Sequence, residues 1–130
     1  MSQWRPSRRS QKNHDDLVIM MVNYFEKQGY TNIRADIENY PAPPIITGQD
    51  QNHRPDLLCD KTSYTQIILE AETDDTIDDE HTASQWALFA NWANRHNNEF
   101  HLVVPKGYRD AAERRLGELN ISAHKIWTPQ

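Results

Sequence analysis

Residues 66–72 read Gln-Ile-Ile-Leu-Glu-Ala-Glu, and residues 53–56 read His-Arg-Pro-Asp. We interpret each stretch as part of a short apolar strand that carries acidic residues where a strand is ordinarily buried. Buried carboxylates are rare unless their charge is compensated, and a divalent cation is a usual compensation. Side chains alternate along a strand, so Glu70 and Glu72 point to one face with Cα atoms about 6.6 Å apart. With Asp56 on the neighbouring strand, about 4.8 Å away, three acids converge on one divalent-metal site.

The length of the chain indicates one domain. Its 130 residues can bury a real core, and the contents of 37% apolar and 25% charged residues are those of a folded globular protein. We place the domain at residues 14–130, after a basic arm at residues 1–13 that lacks the apolar segment of a secretory signal. No apolar run reaches the roughly 20 residues that span a bilayer, so no membrane partner is expected. The single cysteine, Cys59, is expected in the core, which favours a reducing, cytoplasmic setting.

Charge is distributed unevenly along the chain. The formal net charge of -5 argues against non-specific binding to nucleic acid. The first dozen residues are nevertheless basic, with Arg5, Arg8, Arg9 and Lys12. Two interpretations stay open for this arm: a disordered tail, or a nucleic-acid-binding arm that follows a phosphate backbone.

Periodicity and turn residues give the order of the elements. Apolar residues at helical spacing indicate helices, and alternation or short apolar runs indicate strands. We expect helices at 15–28, 78–94 and 108–119, strands at 32–37, 54–60, 64–72, 100–104 and 122–127, and an irregular segment at 40–50. The order αβββαβαβ is typical of an α/β fold, in which the first three strands form an antiparallel meander and the later ones pair in parallel. The expected architecture is a mixed central β-sheet flanked by helices on both faces.

Hard oxygen ligands with open positions suit Mg²⁺ or Mn²⁺ as the cofactor. Such an ion can activate water and stabilise charge on a phosphate, and Glu72 could position or deprotonate that water. Zinc is less attractive because His53 is the sole nearby nitrogen ligand. No nucleophile elbow and no phosphate-binding glycine loop occurs. An acidic pair at i and i+2 can also be a solvated strand face, but the apolar residues 67–69 before it favour a buried strand.

The pair Pro55-Asp56, followed by Glu70-Ala71-Glu72 on the next strand, resembles the PD-(D/E)xK pattern of the restriction-endonuclease-like nucleases. The order of elements is also similar from about residue 15 onward. The resemblance implies a restriction-endonuclease-like fold in which Asp56, Glu70 and the carbonyl of Ala71 bind the metal.

Two further segments carry the resemblance. Glu26 matches the acidic residue that many members have near the end of the first helix. Gln85 to Phe89 is similar to the Q-x-x-x-Y motif of the RecB-like branch, with Phe in place of Tyr, and implies that Gln85 supports the site. His81 lies one helical turn before Gln85 and shares its face. His81 and Arg54, which is adjacent to Pro55-Asp56, are candidates for contact with nucleic acid.

The sequence departs from the family pattern at one position. The pattern expects Lys where this chain has Glu72, although some restriction enzymes have Glu there and remain active. The change removes a cation that would stabilise the phosphate in the transition state. Lys61 and Lys106 are candidates for a migrated replacement.

Three functions remain open. The first is a metal-dependent DNA endonuclease that hydrolyses phosphodiester bonds in duplex or branched DNA, with a homodimer providing one site per strand. The second is a catalytically inactive module of the same fold that binds DNA or a protein partner. The third is a protein whose acidic face binds a basic partner.

Overall fold

The computed structural model describes residues 8–130, with side chains described from Ser10 onward. This part of the chain forms three helices and seven strands. In chain order they are α1 (Arg8–Lys27), β1 (Thr31–Ala35), β2 (Ile46–Thr47), β3 (Asn52–His53), β4 (Leu57–Asp60), β5 (Gln66–Ala71), α2 (Glu80–Arg95), β6 (Glu99–Val103), α3 (Arg109–Leu119) and β7 (Lys125–Trp127). None of the described helices is both long and apolar enough to cross a membrane.

The central sheet is mixed, as its order of elements predicts. Its five strands lie in the order β1-β4-β5-β6-β7. β4 pairs antiparallel with both β1 and β5, whereas β5, β6 and β7 pair in parallel. A short turn at 61–65 connects β4 to β5, while the parallel pairs need the crossover helices α2 and α3. The prediction of an α/β fold with a mixed sheet is therefore confirmed.

Helices cover both faces of the sheet because its central strands are apolar on both sides. On one face, α1 packs through Met21 and Phe25 against odd-numbered strand residues such as Leu69. On the other face, Trp86 and Phe89 of α2, with residues of α3, pack against even-numbered strand residues that include Ile68 and Leu102. Cys59 is buried in the α1-facing core, as predicted.

The structure differs from the sequence prediction in two elements. Helix α1 begins at Arg8, seven residues before the expected start, so residues 8–13 belong to the helix and not to an arm. Residues 1–7 lie outside the described part. The segment expected to be irregular contributes β2, which pairs antiparallel with β3 in a separate two-stranded hairpin. Ile46 of this hairpin is buried in the core under α2.

Candidate functional site

Three acidic residues meet where β4 begins and β5 ends. Asp56 directly precedes β4, Glu70 lies in β5, and Glu72 follows the last residue of β5. The register pairs Leu57 with Leu69, which brings the start of β4 beside the end of β5. This corner lies at the junction between the antiparallel and parallel halves of the sheet, and Glu70 and Glu72 are almost fully buried there (1% and 4% exposed).

Asp56 and Glu70 hold each other in place across the two strands. The backbone N–H of Asp56 donates to Glu70 Oε2 at 2.8 Å, and the backbone N–H of Ala71 donates to Asp56 Oδ2 at 2.8 Å. Burial, and then the charge of Asp56, raises the pKa of Glu70 well above its ordinary value. The surroundings of Glu70 therefore favour its protonated form over its carboxylate form.

His14 of α1 supplies the nearest basic group. Its Nε2 lies 3.0 Å from Asp56 Oδ2, and its Nδ1 lies 3.2 Å from Asp15 Oδ1. Burial by itself would lower the pKa of His14, but the charge and hydrogen bond of Asp56 outweigh burial and raise it to about 10. Burial would likewise raise the pKa of Asp56, but the charge and hydrogen bond of His14, together with the other hydrogen bonds that Asp56 accepts, outweigh burial and lower the pKa. The site thus contains an imidazolium–carboxylate pair.

Glu72 accepts hydrogen bonds from three side chains behind the pocket. Thr76 Oγ1 and Thr82 Oγ1 donate to its Oε1 at 2.8 and 3.3 Å, and Trp86 Nε1 donates to its Oε2 at 3.0 Å. These donors fix the orientation of the carboxyl group. Burial, and then the charge of Asp56, raises the pKa of Glu72 to about 8. The group therefore titrates near neutral pH, as a general acid or base requires.

The three acids line a pocket of about 180 Å³. Its other lining residues come from α1, from the segment after β1, from the end of β5 with the loop that follows it, and from α2. They are Ser10, Gln11, His14, Asp36, Ala71, Thr73, Thr76 and Gln85. The Ser10 hydroxyl lies 2.8 Å from both Thr73 Oγ1 and Asp75 Oδ1, which ties the start of α1 to the loop after β5. Asp56, Glu70, Ala71, Glu72 and Gln85, all expected at the site from the sequence, share this pocket.

Other residues expected at the site lie elsewhere. Glu26 hydrogen-bonds with the Tyr40 hydroxyl at 3.4 Å and lines a different recess. It is 12 residues from His14 on α1, which is about 18 Å along the helix. The Arg54 guanidinium donates to the carbonyl of Pro43, and the His81 ring packs on His53, with ring centroids 5.3 Å apart.

The remaining basic candidates do not complete the pocket either. Lys61 pairs with Glu99 at 2.9 Å, at the opposite end of β5 from the three acids. Lys106 is exposed and is not among the residues that line the pocket. The side chains of Arg8 and Arg9 and all of Arg5 lie outside the described part of the chain.

Sequence reasoning missed His14 and Asp36. His14 falls just before the expected start of the first helix, and its contact with Asp56 depends on where α1 lies on the sheet. A histidine one turn before the apolar stripe that begins at Leu17 was the available signal. Asp36 follows β1, and its backbone N–H donates to the carbonyl of Asp56 at 2.9 Å, which makes it a neighbour through the β1–β4 pairing.

The chemistry of these donors suits a hard divalent cation, but their arrangement is not that of a ready-made metal site. Among the side chains that the structure describes, no three His, Cys, Asp or Glu groups form one. Asp56 Oδ2 already contacts His14 Nε2 and the backbone N–H of Ala71, and Glu70 Oε2 already accepts a hydrogen bond from the backbone N–H of Asp56. To bind a cation together with the carbonyl of Ala71, the Asp56 and Glu70 carboxyl groups would both have to be deprotonated.

Comparisons of this chain with family models, curated proteins and solved structures find no match to any of them.

Proposed function

We propose that this protein is a divalent-metal-dependent endodeoxyribonuclease that hydrolyses phosphodiester bonds. The observation that carries the proposal is the meeting of three acids in one pocket at the corner of a mixed sheet, with Glu70 and Glu72 buried and Asp56 half-buried. Burial and the nearby charge of Asp56 raise the pKa of Glu70 and Glu72, which is costly in a residue set with only a structural role. Such concentrations of perturbed groups in a cleft are typical of catalytic sites.

Each residue has a distinct task in this proposal. Asp56, Glu70 and the carbonyl of Ala71 hold Mg²⁺ or Mn²⁺, and the backbone N–H groups of Asp56 and Ala71 keep the two carboxylates oriented. When bound, the ion activates a water molecule and neutralises charge on the phosphate. Glu72, fixed by its three donors, orients the water and accepts a proton near pH 8.

His14 supplies the positive group that the family pattern would place at residue 72. It enters the pocket from α1 instead of from β5, and it contacts Asp56 directly. We propose that His14 moves from Asp56 to the substrate phosphate once the carboxylates bind an ion. Gln85, also on the pocket wall, supports the bound water or phosphate.

The test is cleavage of supercoiled plasmid and of branched duplex DNA in Mn²⁺. We expect nicking by the parent protein and its loss in Asp56→Asn and Glu70→Gln, which preserve side-chain shape. Glu38→Gln, a change to an exposed glutamate, is the matched control and is expected to cut like the parent. Cleavage by Glu70→Gln at the parent rate would refute the proposal. Cuts in both strands of a duplex would further require a second copy of the chain in a homodimer.

The arrangement of the site also favours a second candidate, a catalytically inactive module that binds DNA or a protein partner. The observation is that backbone N–H groups and His14 already contact the carboxyl groups of Glu70 and Asp56, so these acids have partners without an ion. In this case Mn²⁺ would bind weakly or not at all, and no DNA or RNA would be cut. DNA binding that is retained in Glu70→Gln, together with absence of cleavage by the parent, would select this function.

A further inference from the structure

A second pocket lies between the β2–β3 hairpin and the C-terminal half of α2. It measures about 540 Å³, and we call it the hairpin pocket. The hairpin contributes one wall and α2 the other. Its lining residues are Thr47, Gly48, Gln49, Leu88, Asn91, Trp92, Arg95 and His96.

The walls of the hairpin pocket are fixed in place. His53 Nε2 hydrogen-bonds with Ser84 Oγ of α2 and with Gln51 Oε1, both at 2.9 Å, which holds one end of the hairpin on the helix. At the other end, Gly48 packs so closely on Leu88 that a Cβ atom at residue 48 would lie 2.7 Å from Leu88 Cδ1. Two separate contacts thus hold the hairpin against α2 beside the pocket.

The lining of the hairpin pocket has the chemistry of nucleic-acid recognition. The chain has 19 acidic residues against 14 Lys and Arg, yet none of the carboxylates that the structure describes lines this pocket. Asp50 lies in the adjoining turn but is not part of the lining. One arginine, one histidine, two amides and one hydroxyl share the lining with Trp92. The Trp92 ring is half-buried and tilted against His96, with ring centroids 5.4 Å apart. Aromatic rings bind unpaired bases by stacking, and arginine binds the adjacent phosphate.

The hairpin pocket and the carboxylate pocket lie on one stripe of α2. Gln85 lines the carboxylate pocket, and Leu88 and Trp92 follow at helical spacings of three and seven residues. Seven residues of helix extend about 10 Å. The two pockets are therefore close enough for one DNA strand to contact both.

We propose that the hairpin pocket binds an unpaired nucleotide of the DNA strand that leaves the carboxylate pocket, with its base on Trp92 and its phosphate on Arg95. The choice of DNA as the ligand rests on the proposed function. The site would make the protein select DNA that has an unpaired segment next to the cleavage position, such as a branch or a single-stranded tail.

The test is fluorescence anisotropy with a 5′-fluorescein single-stranded 12-mer in EDTA, so that neither metal nor cleavage contributes. Arg95→Gln is expected to weaken binding about fivefold to tenfold and to reduce the slope of log affinity against log salt by about 0.7. Trp92→Leu is expected to weaken binding about tenfold. An oligonucleotide with abasic residues should bind the parent more weakly than the intact 12-mer does, but should show little difference for Trp92→Leu.

Arg109→Gln, which changes an exposed arginine on α3, is the matched control and is expected to bind like the parent. Parent-like binding by both Arg95→Gln and Trp92→Leu would overturn the inference, as would an equal loss in Arg109→Gln. A parent protein that binds no DNA in EDTA would also overturn it. Because Arg95 is exposed, its substitution tests the site even if Trp92→Leu unfolds. If the protein binds the 12-mer through the hairpin pocket but does not cleave DNA in Mn²⁺, the nuclease function would be refuted and the binding site supported.

Discussion

Glu72→Gln should stabilise the metal-free protein and, if the proposed nuclease function is correct, abolish cleavage of DNA. Glu72 is 4% exposed, and its pKa is raised from 4.5 to about 8. At pH 7 the unfolded chain has released this proton while the folded protein retains it. At about 1.36 kcal/mol per pH unit between 4.5 and 7, burying the carboxyl group costs the fold about 3 kcal/mol. Glutamine has the same shape without this cost.

Lost hydrogen bonds offset part of the gain. Glutamine keeps one acceptor oxygen, but its NH₂ group would face one of the donors from Thr76, Thr82 and Trp86, at a cost of about 1 kcal/mol. The net gain at pH 7 is therefore about 2 kcal/mol, or roughly 8 °C in Tm for a chain of this size. A raised pKa of an acid means that the parent loses stability as pH rises from 4.5 to about 8. The advantage of Glu72→Gln should thus grow at pH 8.5 and vanish at pH 5.

The assay is urea unfolding followed by circular dichroism at pH 5, 7 and 8.5 in EDTA. Glu113→Gln, a change to an exposed glutamate of α3, is the control and should unfold like the parent at each pH. If Glu72→Gln were less stable than the parent at pH 8.5, Glu72 would be an anion that the fold requires, and burial of this carboxyl group would not destabilise the fold.

Three further outcomes are expected. The pKa of His14 is raised to about 10, so its ion pair with Asp56 stabilises the fold fully below pH 6.5 and loses this effect as pH rises through 10. His14→Ala should therefore flatten the dependence of the free energy of unfolding on pH between 6.5 and 10, as measured in urea. An unchanged pH dependence would contradict the His14–Asp56 ion pair. Gly48→Ala should cost about 1–3 kcal/mol, since its Cβ would lie 2.8 Å from the backbone oxygen of Gln51 and 2.7 Å from Leu88 Cδ1. An unchanged urea midpoint would contradict this packing. Phe89→Ala should cost about 3–5 kcal/mol because the ring is fully buried (0% exposed); a thermal melt that shifts by less than a few degrees would contradict its place in the core.

The local pattern of apolar and turn residues is sufficient to predict the strands of the central sheet and the proximity of Asp56 and Glu70. The apolar run at 66–71 is a central strand, and the short turn at 61–65 fixes its register against β4. That register places Asp56 beside Glu70, so the convergence follows from the sequence once the hairpin is identified. Glu72 was predicted on the same strand and lies just beyond its end, still on the pocket wall.

The features that the sequence does not predict depend on how distant segments of the chain pack against one another. The first half of α1 is polar, so its start and the contact of His14 with Asp56 depend on how the whole helix crosses the sheet. Only the family resemblance points to Glu26 as a site residue, and its position near the end of α1 places it in a different recess from the three acids. The strands β2 and β3 have two residues each, too few for a period to be recognised in a segment rich in proline.

The most direct test of the proposed metal site is isothermal titration of Mn²⁺ into the parent protein in two buffers that differ in ionisation enthalpy. We expect about one ion per chain to bind with release of protons, since burial and the charge of Asp56 raise the pKa of Glu70 and a carboxyl ligand must be deprotonated. Binding should be lost in Glu70→Gln and in Asp56→Asn. Absence of binding by the parent, or binding that persists unchanged in both variants, would contradict the account.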